Sequence, residues 1–375
     1  MGSIVGLLAL AIWLVFLFAR HGFWLTRERD TRGMPPAPAC WPEVVAVVPA
    51  RDEADVIARS IGSLAAQDYP GSFRIILMDD SSSDGTGDIA RGLRSDRVTV
   101  MPGLPLARGW TGKLWAVSQG VDHAGTAPRY LWLTDADIEH APDTLRMLIT
   151  RAESDGLTLV SLMAKLRCDS FAERMLIPAF VFFFQMLYPF GLVNRATGLG
   201  GAAGGCMLVR RESLEAAGGI AAIRDALIDD CTLGALLKRQ GRVWLSLTDR
   251  SRSIRPYEGF APVAVMISRS AYAQLRYSPP LLAGTVGGLA LVYLAPPLLA
   301  LFGHGIAQGA GIVAWALMAI AFQPMLHFYR RSPLWGVALP AIAAFYAACT
   351  LLSAWQHARG RGGMWKGRAQ AAAGR

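Results

Sequence analysis

Charge is scarce in this 375-residue chain. Lys, Arg, Asp and Glu together make up 17% of it, against roughly 25% in an ordinary soluble domain. With 53% hydrophobic residues, that excludes a disordered chain, which needs low hydrophobicity and high charge, and argues against a purely water-soluble one. Cysteine is sparse as well. The five, Cys40, Cys168, Cys206, Cys231 and Cys349, are odd in number and form no CxxC pair. A disulfide framework and a structural zinc site are excluded, which leaves reduced, buried thiols. The histidines (His21, His123, His140, His304, His327, His357) are scattered without HExxH spacing, and no GxSxG elbow occurs. Zinc hydrolysis and serine-triad chemistry therefore lack a sequence basis. Basic residues outnumber acidic ones, 37 to 28, for a net charge of +9. They are not interleaved with aromatics in a groove-like stripe, so nucleic acid is not an expected partner. They flank apolar runs instead, where anionic lipid headgroups are the natural counterpart.

Residues 4–19 are uncharged, and Arg20, Arg27, Arg29 and Arg32 follow them. A secretory signal carries its positive charge before the apolar run and a small-residue cleavage site after it. The order here predicts an uncleaved anchor reaching Trp24, N-terminus outside and basic flank in the cytoplasm. Runs 281–303, 309–328 and 334–352 are each long enough to span, with Pro296 and Pro297 expected to kink the first. Arg330 and Arg331 mark the loop before the last run as cytoplasmic. Four spans that start outside would end outside, yet the tail carries Arg359, Arg361, Lys366, Arg368 and Arg375 and reads as inside. The two agree only if one run is re-entrant or interfacial. Residues 174–193 are also apolar. A true span there would split the middle region across the membrane, so the expectation is a helix in the interface or buried beneath the domain.

The middle region alternates short β-rich runs with helical ones. EVVAVVP (43–49), FRIILM (73–78), RVTVM (97–101), RYLWLT (129–134) and LTLVSL (157–162) read as strands. Helices are expected over 53–66, from about Thr86, over 113–123 and over 142–152. This is the pattern of an α/β, mostly parallel, doubly wound sheet, in which ligands bind at the carboxyl ends of strands.

Polar clusters fall at those ends. Arg51-Asp52-Glu53 follows the first strand and can either cap a helix or touch a base or sugar. Asp79-Asp80-Ser81 follows the second, where adjacent carboxylates after an apolar strand must be solvated or paired; a turn with an N-cap is the alternative. Asp135-Ala136-Asp137 follows RYLWLT, and carboxylates at i and i+2 on such a turn can share a hard divalent cation, Mg²⁺ or Mn²⁺, that bridges diphosphate oxygens. Gly109-Trp110-Thr111-Gly112-Lys113 is not a P-loop, because positions 107 and 114 are Ala and Leu, but Lys113 at a helix start can neutralise a phosphate. The Gly198–Gly205 run precedes a strand, CMLVR, rather than opening a helix, which rules out a dinucleotide fingerprint. It reads either as a wall admitting a bulky ligand or as a flexible loop. Asp229-Asp230, leading into a helix, are a cap or supply a general base.

In this order the clusters resemble the family 2 glycosyltransferases of the GT-A, Rossmann-like fold, over about residues 43–250. The stretches VVPARDEADVI, MDDSSSDGT, GWTGKLWAV, LTDADI, LIDDCTLGALLKRQG, AYAQLRYSP and MWKGR bring it closest to the hopene-associated glycosyltransferase (HpnB) family. The resemblance implies that Glu53 and Asp79 contact the base and ribose of a nucleotide-sugar donor, UDP-linked, with Asp80 and Lys113 along the nucleotide and diphosphate. Asp135 and Asp137 would hold Mg²⁺ or Mn²⁺, and Asp230 would deprotonate an acceptor hydroxyl for a single inverting displacement. Like-charge repulsion from Asp229 would bring the base nearer neutral pKa. The (Q/R)xxRW motif of related membrane enzymes is incomplete here: Arg276-Tyr277 fit its end, but position 273 is Ala. That favours one transfer onto a lipid, hopanoid-related, over polymer extension. A polyprenyl phosphate, carotenoid or sphingolipid-like acceptor is the alternative. The implied organisation is an anchor and linker over 1–39, the transferase domain over 40–250, an interfacial segment over 251–280, transmembrane helices over 281–356 and a basic tail over 357–375. The expected location is a bacterial inner membrane, with the catalytic domain cytoplasmic.

Overall fold

The structure is a computed structural model and describes residues 1–31, 33, 35–360, 362–365, 368 and 369. Of the basic flank and tail read from the sequence, Arg32, Arg361, Lys366 and Arg375 lie outside the described residues. The chain divides into two compact units. One comprises Met1–Arg27, Cys168–Gly191 and Pro256–Gly363; the other comprises Glu28–Arg167, Leu192–Arg255 and Met364–Arg375.

The first unit is helical. Four of its helices are long and apolar enough to cross a membrane, among the described residues: Phe171–Val193, Pro279–Phe302, Gly305–Phe328 and Leu339–Ala358. The N-terminal helix Gly2–Phe18 has 17 residues and is shorter than these, at the lower limit of the length of a span. Residues 171–193 have the length of a span, but the strands on either side of them are neighbours in one sheet, as described below. The start of this helix is set by a capping box, in which the Ser170 hydroxyl accepts from Glu173 N–H while Glu173 accepts from Ser170 N–H. The expected kink at Pro296 and Pro297 takes the form of a π-helical turn over Ala290–Leu294 between helices Pro279–Leu289 and Ala295–Phe302. Proline cannot donate to the preceding turn, and the widened turn leaves a carbonyl over. Val292 O accepts from the buried Trp13 indole N–H (2.9 Å), which satisfies both groups away from water.

The second unit is an eight-stranded α/β sheet. Its strands are β1 (Val44–Ala50), β2 (Phe73–Asp79), β3 (Val98–Pro102), β4 (Tyr130–Leu133), β5 (Ile138–His140), β6 (Leu159–Lys165), β7 (Met207–Arg210) and β8 (Val243–Ser253), in the order β3-β2-β1-β4-β7-β6-β8-β5. Pairings β1/β2, β1/β4, β2/β3 and β6/β8 are parallel; β4/β7, β6/β7 and β5/β8 are antiparallel. All seven residues of β1 are buried, as a strand covered on both faces requires. Strand order reverses around β1, with β2 on one side and β4 on the other, and crevices form at such switch points. The crevice has a local cause. β4 pairs with β1 only from Val44 to Val47, so Pro49 and Ala50 run on without a β4 partner and the chain turns away at Thr134.

Candidate active site

The crevice past β1 and β4 is lined by Pro49, Lys113, Leu133, Thr134, Asp135, Gly204, Met207 and Asp229, among others. Each polar member reaches it for a local reason. Thr111 caps the Gly112–His123 helix by accepting from Leu114 N–H (3.3 Å), which puts Lys113 in the first turn. Its ammonium lies 2.8 Å from Asp135 Oδ1 and 3.0 Å from Asp229 Oδ2. Burial works against that charge, but Asp135 and then Asp229 outweigh it and hold Lys113 above the usual lysine range. Asp135 is pushed up by burial; Lys113 opposes this and Asp137 adds to it.

Asp230 lies in the first turn of the Asp229–Lys238 helix. Its Oδ2 accepts from Gly204 N–H (2.9 Å) and its Oδ1 from Cys231 N–H (2.7 Å). Burial first, then the charge of Asp229, nonetheless raise its pKa from 3.8 to about 6, against the pull of Lys113 and the two N–H groups. The glycine-rich run explains why Gly204 is there. A Cβ on Gly200 would sit 2.5 Å from Ala235 Cα, and one on Gly234 would sit 2.5 Å from Gly201 C. Loop and helix thus pack backbone against backbone. The run is neither a flexible loop nor free space for a ligand at these positions; its glycines bring Gly204 N–H onto Asp230.

A second knot lies beside the first. Arg255 Nη2 contacts both Glu53 oxygens at 2.6 Å, and its Nε contacts Asp137 Oδ2 at 2.9 Å. Burial opposes the Arg255 charge, and Asp137 and Glu53 overcome it. Glu53 is 8% exposed, so its charge needs this partner. Arg255 went unnoticed in the sequence, where it sits in an alternating basic run, RSRSIR, that reads as a solvated strand edge.

Of the residues singled out from sequence, Lys113, Asp135, Asp229 and Asp230 come together around one ammonium, and Glu53 and Asp137 join through Arg255. Asp79 and Asp80 end β2, on the other side of β1 from β4. Asp79 Oδ1 accepts from Ser82 N–H (3.0 Å), and the buried Asp80 lies 3.7 Å from Arg51 Nη1. The Asp79 carboxylate thus closes the turn after β2. Among the described residues no group of three or more His, Cys, Asp or Glu side chains is arranged to hold a metal. Asp135 and Asp137 alone are a donor pair of hard oxygens, and Asp135 keeps 34% of its side chain exposed. That set fits Mg²⁺ or Mn²⁺, which take one or two protein carboxylates and complete their shell with phosphate and water oxygens.

Parallel strands, a crevice at the switch point and a cation set among carboxylates at its mouth define an α/β transferase-type site for an anionic ligand. Residues 45–218, a little under half of the chain, match the family model of Glycosyl transferase family 2. The succinoglycan biosynthesis protein ExoO of Rhizobium meliloti (strain 1021) is 33% identical over 160 residues, 39% of this chain and 44% of that protein. The match therefore spans less than half of the relative's length. The solved mannosyltransferase PcManGT from Pyrobaculum calidifontis, in complex with GDP-Man and Mn²⁺, superposes with a TM-score of 0.60 at 18% identity, over 95% of this chain and 99% of that one. At that identity the likeness is one of fold, and it is the GT-A fold expected.

Proposed function

We propose that the chain is a membrane-bound inverting glycosyltransferase that moves a sugar from a nucleotide-sugar to the hydroxyl of a lipid. The observation that carries this is the meeting of Lys113, Asp135 and Asp229 at one crevice, with Asp230 beside it on Gly204 N–H. A nucleotide-sugar presents a diphosphate and an anomeric carbon; Lys113 is a cation for the first, and Asp230 a base for the acceptor hydroxyl that attacks the second. Lys113 neutralises a phosphate. Glu53 and Asp79 take the base and ribose, and Asp80 lies along the nucleotide. Asp230, with a pKa of about 6, is mostly ionised at neutral pH, yet basic enough to take a hydroxyl proton as the oxygen forms its bond to the anomeric carbon. The bond to the diphosphate breaks on the opposite face, so configuration inverts. Asp135 and Asp137 would hold a divalent cation, which would supply Lewis-acid stabilisation to the diphosphate as it leaves.

The bound GDP-Man and Mn²⁺ of the solved fold relative support a nucleotide-sugar donor and a divalent cation. The apolar helices of the same chain support a membrane location and a lipid acceptor. A UDP-linked donor and a hopanoid-related acceptor rest on the sequence resemblance. An inner-membrane location with the site in the cytoplasm rests on the basic flanks at Arg27, Arg29, Arg330 and Arg331.

The test mixes membranes containing the chain with a panel of nucleotide sugars and Mn²⁺, followed by lipid mass spectrometry and assay of the released nucleotide. A new glycolipid together with free nucleoside diphosphate is expected, and both should be lost in Asp230→Ala. Release of pyrophosphate instead would make the chain a nucleotidyltransferase and refute the reading. A glycosylated polyprenyl phosphate with unchanged hopanoids would refute the acceptor.

A further inference from the structure

Behind the crevice runs a line of buried polar side chains that the proposed chemistry does not use. Trp132, His140, Ser251 and Thr134 are each 3% exposed or less, and Cys206 is fully buried. Trp132 Nε1 donates to Cys206 Sγ (3.3 Å). Ser251 Oγ lies 2.9 Å from His140 Nδ1, and His140 Nε2 lies 2.9 Å from Thr134 Oγ1. Thr134 Oγ1 donates to Gly205 O (2.8 Å). The direction of the Ser251–His140–Thr134 line is set at its Gly205 end, because a carbonyl can only accept. Thr134 spends its single proton on Gly205, so His140 must carry its proton on Nε2 and accept from Ser251 at Nδ1. Burial pushes the His140 pKa down to about 3, so the ring stays neutral and holds this tautomer across the working range.

The line ends on both halves of the site. Thr134 immediately precedes Asp135. Gly205 immediately follows Gly204, whose N–H donates to Asp230.

We propose that His140 is a positioning residue: through Thr134 and the Gly204–Gly205 backbone, its Nε2–H tautomer sets the placement of Asp230 relative to Asp135. The inference rests on the assignment of Asp230 as base and adds the group that aims it. Thr134 without the imidazole N–H would be free to turn its hydroxyl from Gly205, and the strand end and glycine loop would lose their link. Misplacement of a reacting group by about 1 Å can cost ~100-fold in rate.

The experiment uses the full chain and three variants. His140→Phe keeps a ring against Trp132 and removes both nitrogens. Ser251→Ala removes only the donor that fixes the tautomer. Asp230→Asn runs alongside. Expected for His140→Phe is a kcat lower by ~10- to 100-fold with donor KM within about twofold. The acid limb of its kcat profile should move to higher pH, because Gly204 N–H holds the Asp230 carboxylate down. The other charges facing Asp230, Asp229 and Lys113 with its partner Asp135, are untouched by these changes. Ser251→Ala, the milder change and the one expected to fold in any case, should lower kcat by about tenfold or less, with the limb moved the same way. Wild-type kcat and limb in either folded variant would overturn the proposal. So would a loss of activity that follows lost thermal stability with the limb unmoved. Asp230→Asn separates the two levels: if it is inactive while the His140 and Ser251 variants behave as wild type, only the positioning role fails. If it keeps full turnover, the base assignment fails, and the proposal with it.

Discussion

Asp230 is held at a cost to the fold, and replacing it with Asn should expose that cost. Its pKa moves from 3.8 to about 6 on folding. At about 1.4 kcal/mol for each factor of ten, this is ~3 kcal/mol of penalty on the charged form. The sign follows from the direction of the shift. Below pH 3.8 the group is protonated in both states and costs nothing; as pH rises through about 6 the folded state is forced to hold a charge it disfavours, and stability falls. Asp230→Asn removes the charge but keeps one acceptor for the two N–H groups of Gly204 and Cys231, so ~1–2 kcal/mol returns as one N–H faces the new amide. A net gain of ~1–2 kcal/mol is expected at pH 7.5, raising the melting temperature of the α/β unit by about 2–6 °C. Turnover should fall by ~10²–10⁴. The assay is thermal melting of the detergent-solubilised full chain from pH 3.5 to pH 8, paired with nucleoside diphosphate release. Near pH 3.5, where the charge penalty is gone and only the mispaired N–H remains, the variant should melt below the parent. An Asp230→Asn protein that melts at or below the parent at pH 7.5 would refute the strained carboxylate. One that melts higher yet turns over normally would refute the base.

Gly234→Ala places a Cβ 2.5 Å from Gly201 C and 2.8 Å from Ala202 N. It should destabilise the α/β unit by ~1–3 kcal/mol, read as a lower melting temperature, and widen the Gly204–Asp230 contact. Arg255→Leu leaves Glu53 and Asp137 without their shared cation. It should destabilise the α/β unit by ~1–3 kcal/mol, read as a lower melting temperature of the full chain.

Much of the α/β unit is visible along the chain. Strands β1, β2, β4 and β6 are buried on both faces and so appear as unbroken apolar runs. β5 and β8 do not. Ile138–His140 is too short to carry a period, and β8 ends in the alternating charges of Thr248–Ser253, which look like a solvated segment although they pair with β5 and β6. The acidic strand ends stand out for a different reason: carboxylates after an apolar run are conspicuous wherever they occur. Arg255 and His140 are single residues of common type, and nothing at fixed spacing marks them.

The order of elements, the apolar helices and the acidic turns are thus set by local pattern, since burial and turn chemistry act on neighbours in sequence. Which carboxylate meets which cation was decided only by the tertiary structure. Lys113, Asp135 and Asp229 lie far apart along the chain and meet because β1 outruns β4 at the switch point, while the backbone-to-backbone packing of Gly200 and Gly234 draws Gly204 onto Asp230. Long-range contacts of this kind depend on strand register and on side chains that are absent, and neither has a periodic signature.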